Sequence, residues 1–399
     1  MIQAQPSLMF YSSDCADTPA EVNISRFQGQ SGVEEYHLIV RPTEYGSIDS
    51  QLRLVSSAYQ HALRSAGLDH GTCILRRFLC SDLSNQASLL EDHPFANPHD
   101  PDEPCAVSWV CQPPAPPAKV VLWAYHMSDP GGALDKGSQG SSLLLTRGSL
   151  THVWTTGVTC TDVDTSYGQT EGILNAYEQS LQSQSLRLAD HVIRTWFFVR
   201  DIDSNYEGLV EARREIFAEW GLTPDTHFIA STGIEGASAD VAAKVLMDAY
   251  AISGVRPDQI QFLSAPNRLS PTHMYGVTFE RGVSVAYRDR KHVIISGTAS
   301  VDSAGRIVHP GDMLRQLDRT LENVGDLLQE AGATFRDVCM FIVYVRDHSD
   351  LGVARRVMGE RFGDIPLAVV VAPVCRPGWL IEIECQAIVS ALNPSLPAL

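Results

Sequence analysis

An α+β fold built from three repeats of one unit is what this sequence predicts, and three observations carry the prediction. An apolar, strand-like run ending in Val-Arg-Asp occurs twice, at 196–201 and 341–347. The segments 211–221 and 353–363 share Ala-Arg-Arg and a closing Gly, both at an offset of 142 residues. Stretches with helical period alternate with apolar runs in each copy. Ordered recurrence of this kind marks one supersecondary unit repeated, and the alternation implies helices laid on one face of a sheet.

In chain order, residues 1–19 read as an N-terminal tail. Residues 20–148 read as a degenerate first unit: Leu52, Val55, Tyr59, Leu63 and Ala66 recur at helical period, and Gly67 leads into the strand-like run Arg76 to Asp82. Its Pro- and Gly-rich stretches at 94–104, 113–117 and 129–142 read as surface loops or insertions. The second unit, 149–255, holds Thr156-Gly157 at a strand end, as the third holds Ser296-Gly297. Residues 253–271, with Pro257 and Pro266, read as the connection into the third unit, 256–399. There Met313 to Gly332 forms an amphipathic helix closed by glycine, and Gly332 to Asp347 spans the same interval as Gly67 to Asp82.

Composition narrows the function. The 399 residues are 44% hydrophobic and 19% charged, with 30 Lys plus Arg against 47 Asp plus Glu, a formal charge of −17. That balance argues against a nucleic-acid partner, which needs a cationic face. No apolar run is long enough to span a membrane, and the first residues lack the pattern of a signal peptide. Nine cysteines at spacings of neither zinc sites nor disulfide frameworks fit a reduced, cytoplasmic protein. His273 and His309 have no partner at ligand spacing, so no metal is expected.

Two glutamates stand out. In Trp379-Leu-Ile-Glu-Ile-Glu-Cys385 strand alternation puts Leu380, Glu382 and Glu384 on one face, the two carboxylates roughly 7 Å apart. In a partly apolar cleft, two like charges raise at least one pKa. The plain alternative is two glutamates facing water on a half-exposed sheet.

Several stretches match a known family. Ser296-Gly-Thr-Ala-Ser-Val-Asp302, the Met313 helix with Gln316 and Asn323, Val343-Tyr-Val-Arg-Asp347 and Ile381-Glu-Ile-Glu384 resemble the Rid (YjgF/YER057c/UK114) family, homotrimers with active sites in clefts between subunits. Thr272-His-Met-Tyr-Gly-Val-Thr-Phe-Glu-Arg-Gly282, Val371-Ala-Pro-Val-Cys-Arg-Pro377, Arg200-Asp-Ile-Asp-Ser-Asn-Tyr206 and His227-Phe-Ile-Ala-Ser-Thr-Gly233 resemble its chorismatase branch, over roughly residues 30 to 390. The resemblance implies three Rid-like (chorismate-mutase-like) α/β units fused into a single-chain pseudo-trimer, able to stand as a monomer, with three inequivalent clefts.

It also implies hydrolysis of chorismate, a small dianion, to pyruvate plus a dihydroxycyclohexadiene carboxylate or a hydroxybenzoate, with no cofactor. Glu382 inherits the role of general acid. Enol-ether hydrolysis needs that acid, cationic donors for carboxylates and a walled pocket. Candidate donors are Arg213, Arg214, Arg288 and Arg376, since a guanidinium grips carboxylate bidentately, with Tyr206, Tyr275, Thr232, Gly233 and Gly297 as further contacts. Ala286 and Val371 are candidate wall positions deciding the product. Glu384-Cys385-Gln386 lacks the Gly expected of the branch after the second Glu, which keeps a related enolpyruvyl ether open as substrate. An imine or enamine deaminase is the alternative within the family, although Pro366-Leu367-Ala368 lacks the arginine of the deaminase pattern. A non-catalytic ligand-binding protein is another, and ribonuclease activity sits worst with the charge.

Overall fold

The computed structural model describes residues 7–12, 18–97, 104–132 and 134–399; most of the expected tail and of the 94–104 loop lies outside them. The first unit runs β1 (Ser7–Ser12), β2 (Ala20–Gln28), β3 (Glu34–Pro42), α1 (Ile48–Ala66), β4 (Cys73–Cys80), α2 (Leu83–Glu91), β5 (Ala106–Cys111) and β6 (Val120–Ser128). The second has β7 (Asp135–Gln139), β8 (Ser142–Arg147), β9 (Leu150–Thr159), α3 (Ser166–Ser183), α4 (Leu188–His191), β10 (Val192–Val199), α5 (Ile202–Glu219), β11 (Ala230–Glu235) and β12 (Val245–Ser253). The third has β13 (Ile260–Leu263), β14 (Gly282–Ala286), β15 (Arg290–Ala299), α6 (Met313–Glu330), β16 (Val338–Val345), α7 (Leu351–Phe362), β17 (Leu367–Val371) and β18 (Ile381–Ser390).

Each unit is a six-stranded mixed sheet with one order: β1-β2-β3-β6-β4-β5, then β7-β8-β9-β12-β10-β11, then β13-β14-β15-β18-β16-β17. The predicted α+β class and threefold repeat hold. Two details differ. β7 and β8 pair into the second sheet, so the first two sheets hand over between Ser128 and Asp135, upstream of 148. The residues read there as an insertion form a hairpin. β13 likewise lies inside the stretch read as a plain connection.

Local chemistry sets the long helices. Ser47 caps α1 by accepting from the Ser50 N–H, and Gly67 ends it at φ 70°, a left-handed conformation that glycine adopts without steric cost. Asp312 caps α6 through the Arg315 N–H. Strand alternation then sorts two faces. In β6, Val120, Leu122 and Ala124 pack with α1 residues such as Leu52 and Tyr59, while Val121, Trp123, Tyr125 and Met127 enter a core shared by all three units. Trp154 stacks on Tyr250 there at 4.2 Å.

Buried ion pairs cross each seam: Arg77–Asp248 at 2.8 Å between units one and two, Arg194–Glu384 at 2.7 Å between two and three, Arg290–Glu35 at 2.5 Å between three and one. Burying such charges is tolerable only when they are paired and hydrogen-bonded. Among the described residues, no helix is long and apolar enough to cross a membrane.

Candidate active site

The seam between the second and third units opens into a cleft. Strands β11 and β15 form its floor, α5 one wall, the 271–281 segment another, and the turn before β18 a third. It is lined by Tyr206, Arg213, Ser231, Gly233, Val277, Phe279, Arg281, Gly297, Ala299, Val301, Cys375, Arg376, Trp379 and Glu382.

Glu382 lies at its centre, 6% exposed. Burial, reinforced by the neighbouring Glu384 and only partly offset by Arg194, pushes its carboxyl up to about 8. It is therefore an acid that keeps its proton at neutral pH. Glu384, two residues on and on the same face, is differently held. It accepts from Arg194 Nη2 at 2.7 Å, Trp196 Nε1 at 3.0 Å and the Thr232 hydroxyl at 2.5 Å. The pair thus divides into a carboxylate locked in the seam by Arg194 and a buried carboxyl that lines the cleft.

Gly297 makes room for that carboxyl. A Cβ there would lie 2.1 Å from Glu382 Oε1. The register of β15 against β18 slips between Ile295 and Thr298, so Ser296 and Gly297 bulge opposite Glu384 and leave a recess for the acid. The same slip recurs in β9 against β12, between Met247 and Ala249, with Thr156-Gly157 in the bulge. The paired Thr-Gly and Ser-Gly of the sequence are this repeated feature.

Register also shows why one cleft alone has the acid. Val345 pairs with Ile381, Val199 with Val245 and Cys80 with Val120. One residue on, Glu382 corresponds to Leu246 and Val121, and Glu384 corresponds to Asp248 and Trp123. The second unit has the seam carboxylate too, bound by Arg77, Ser108 and the Gly157 N–H, but has Leu246 where the third has Glu382.

Three arginines line the same cleft. Arg213 is 2% exposed; its Nε donates to Thr278 and its Nη1 to Ser231, at 3.3 and 3.4 Å. The Tyr206 hydroxyl is near the guanidinium, and Nη2 has no hydrogen-bond partner of good geometry among the described residues. Arg281 is anchored through Nε and Nη2 to the Ser270 carbonyl. Arg376 lies over the Trp379 ring at 5.2 Å, and the Trp379 indole N–H donates to the Ser300 carbonyl. Tyr206 packs close on Gly233 of β11, where a Cβ would come within 3.1 Å of its ring.

Of the residues singled out from sequence, Glu382, Arg213, Tyr206, Gly233, Gly297 and Arg376 meet here. Thr232 does not line the cleft; strand alternation turns it into the seam, where its hydroxyl holds Glu384 and accepts from the Gly297 N–H at 2.9 Å. Gly297 therefore contributes space rather than a donor. Arg288 is a correction: it is exposed beyond the far end of β15, nine residues or about 30 Å of strand from Gly297, and bonds the Leu396 carbonyl. Ala286 and Val371 also lie outside the lining. The Tyr275 side chain lies outside the described residues; its backbone is in the turn Thr272–Tyr275. Of the duplicated arginines the first pair diverges, Arg213 lining the cleft while Arg355 reaches Glu21 of the first unit; the second pair stays alike, Arg214 and Arg356 each meeting a glutamate of its own helix, Glu211 and Glu360.

Sequence reasoning missed Arg281 and Arg194. Arg194 carried a signal, a charge inside the apolar run Val192–Val199 that is buried on both faces and so demands a partner. Arg281 carried none.

Residues 280–389 match the family model described as endoribonuclease L-PSP. A RutC family protein of Pyrococcus abyssi is 31% identical over 105 residues, 26% of this chain and 83% of that one. Its counterpart in Pyrococcus horikoshii is 30% identical over the same length and coverage. A chorismatase crystal structure superposes with a TM-score of 0.60 at 19% identity, covering 79% of this chain and 93% of that one, which is a likeness of fold.

Proposed function

The chain belongs to the RutC family, within the Rid/YjgF group, and from that premise we propose that its cleft hydrolyses the enolpyruvyl ether of chorismate, with Glu382 as general acid. The observation that carries the proposal is a buried carboxyl pushed up to about 8 beside three arginines lining the same cleft. A protonated acid among cations suits a dianion that must receive a proton. The fold shared with a chorismatase supports the same assignment.

The arginines and Tyr206 hold the two carboxylates, and Arg213 Nη2 supplies a donor lacking a good partner. Glu382 delivers its proton to the terminal methylene carbon, which becomes a methyl group, and the neighbouring carbon becomes an oxocarbenium ion. Water adds to that carbon and returns a proton to the Glu382 carboxylate. The resulting hemiketal breaks its bond to the ring oxygen, releasing pyruvate and the ring diol. Interception by an oxygen of the substrate itself leads to a hydroxybenzoate instead. Val277, Phe279, Val301 and Trp379 restrict bulk water, which strengthens every charge interaction inside. General-acid catalysis of this kind supplies roughly 10²–10⁴-fold.

Incubation of purified protein with chorismate, with pyruvate measured enzymatically and the ring product identified by mass spectrometry, tests the proposal. Pyruvate release that disappears in Glu382→Gln supports it. No pyruvate above the blank, with turnover of an imine such as 2-iminopropionate, would replace it with a deaminase.

A further inference from the structure

Away from the cleft, the first sheet carries a group of reactive side chains that the reaction does not use. β4 opens on Cys73, and Cys105 stands immediately before β5. The parallel register that sets Leu75 beside Ala106 brings the two thiols together, Cys105 donating to Cys73 with sulfurs 3.2 Å apart. Around them are the Tyr59 hydroxyl, 3.5 Å from Cys73 Sγ and 2.7 Å from His126 Nε2, and the buried guanidinium of Arg76. Arg76 reaches Tyr59, the Phe95 carbonyl and His70, and among the described residues it forms no ion pair with a carboxylate. Cys73 is fully buried. Cys105 is partly exposed and lines the crevice between the first and second units, with Trp109 and Gly157.

We propose that Cys73 and Cys105 form a reversible dithiol–disulfide site that reacts with peroxides. The sulfurs need to close by only about 1.1 Å to reach the bonding distance of about 2.05 Å. Cys105, facing the crevice, hands its proton to Cys73 along the hydrogen bond they share and attacks the peroxide oxygen as a thiolate; the O–O bond breaks, its sulfur is oxidised to a sulfenic acid, and the departing hydroxide takes the proton back from Cys73 and leaves as one water. Cys73 then attacks that sulfur, the S–O bond breaks, hydroxide takes up the remaining proton, and a second water leaves. Two thiols and one hydrogen peroxide thus give one disulfide and two waters.

The electrostatics set Cys73 apart from the other buried thiols and make it the proton acceptor of the pair. Burial pushes Cys73 up, but the Cys105 hydrogen bond, His126 and Arg76 outweigh it and hold the thiol well below its usual range. Cys105, the donor of the pair, is held well above by burial and by Cys73. By contrast Cys80, Cys339 and Cys385 are raised by burial first, with a second cysteine or a carboxylate adding to it. Cys80 and Cys111 are themselves opposed across the same two strands without an arginine or histidine acting on Cys80, which makes them an internal control.

The full chain, reduced and then treated with hydrogen peroxide at neutral pH, is alkylated and mapped without reduction. The expected result is loss of two hydrogens per chain, a Cys73–Cys105 cross-linked peptide, unchanged alkylation of Cys80 and Cys111, and recovery on adding dithiothreitol. Cys73→Ser is expected to give no cross-linked peptide and to slow dimedone labelling of Cys105; the wild-type map decides the matter even where that variant folds poorly. Both thiols still fully alkylated after peroxide, or a linkage through Cys80–Cys111 or between chains, would overturn the proposal.

Discussion

Replacing Glu382 by Gln changes how stability depends on pH, and the size of the change follows from the site. The folded protein keeps the Glu382 proton until about pH 8, whereas an unfolded glutamate releases it near pH 4.3. Between those values the native state binds a proton that the unfolded state has lost, so wild-type stability falls as pH rises. The slope is ~1.4 kcal/mol per pH unit, and the window gives a total of about 4–5 kcal/mol. Below pH 4 none of this stability is lost, and above pH 8 the loss is complete and constant. Glutamine carries no titrating proton and mimics the protonated acid in shape, so Glu382→Gln removes this slope and every other group cancels in the comparison. Urea denaturation of both proteins at pH 5, 6, 7 and 8 and constant ionic strength measures the effect. The variant gains on the wild type at each step; two curves running parallel from pH 5 to 8 would refute the raised acid.

Removing Glu384 tests the second contribution to that shift. Glu384→Gln takes away the like charge, so the alkaline limb of the pH–rate profile moves to lower pH, while Arg194, deprived of its ion pair, costs about 3–5 kcal/mol in denaturant unfolding. Gly297→Ala puts a methyl group onto the acid's oxygen position and displaces the carboxyl; kcat drops while overpacking costs roughly 1–3 kcal/mol of stability. Arg213→Gln withdraws a charged donor from the cleft, and KM for chorismate rises about 10- to 100-fold, as expected for a charge-assisted bond of about 1.5–3 kcal/mol. Arg288→Ala, far from the cleft, leaves kcat/KM unchanged.

Much of this architecture was legible because repetition leaves the same residues at the same topological points. The Val-Arg-Asp endings close β10 and β16, and the Thr-Gly and Ser-Gly pairs mark one bulge used twice. The β7–β8 hairpin escaped notice because Gly137 and Gly140 and a run of exposed polar side chains give an edge strand no apolar alternation to read. Glu382 and Glu384 were placed on one face by period alone, yet their unequal roles depend on Arg194 and Thr232, which come from another unit. Thr232 was assigned to the cleft although its neighbours Ser231 and Gly233 face it, and alternation excludes all three sharing a face. Arg288 was chosen for its residue type, with nothing in the sequence to locate it; Arg281 was overlooked for the same reason.

The proposed chemistry requires one buried carboxyl, Glu382, to hold its proton at neutral pH. Infrared difference spectroscopy of wild type minus Glu382→Gln observes that group directly. A protonated-carboxyl carbonyl band at pH 7, converting to carboxylate bands with a midpoint at about 8, is the predicted result. Carboxylate bands alone at pH 7 would contradict it.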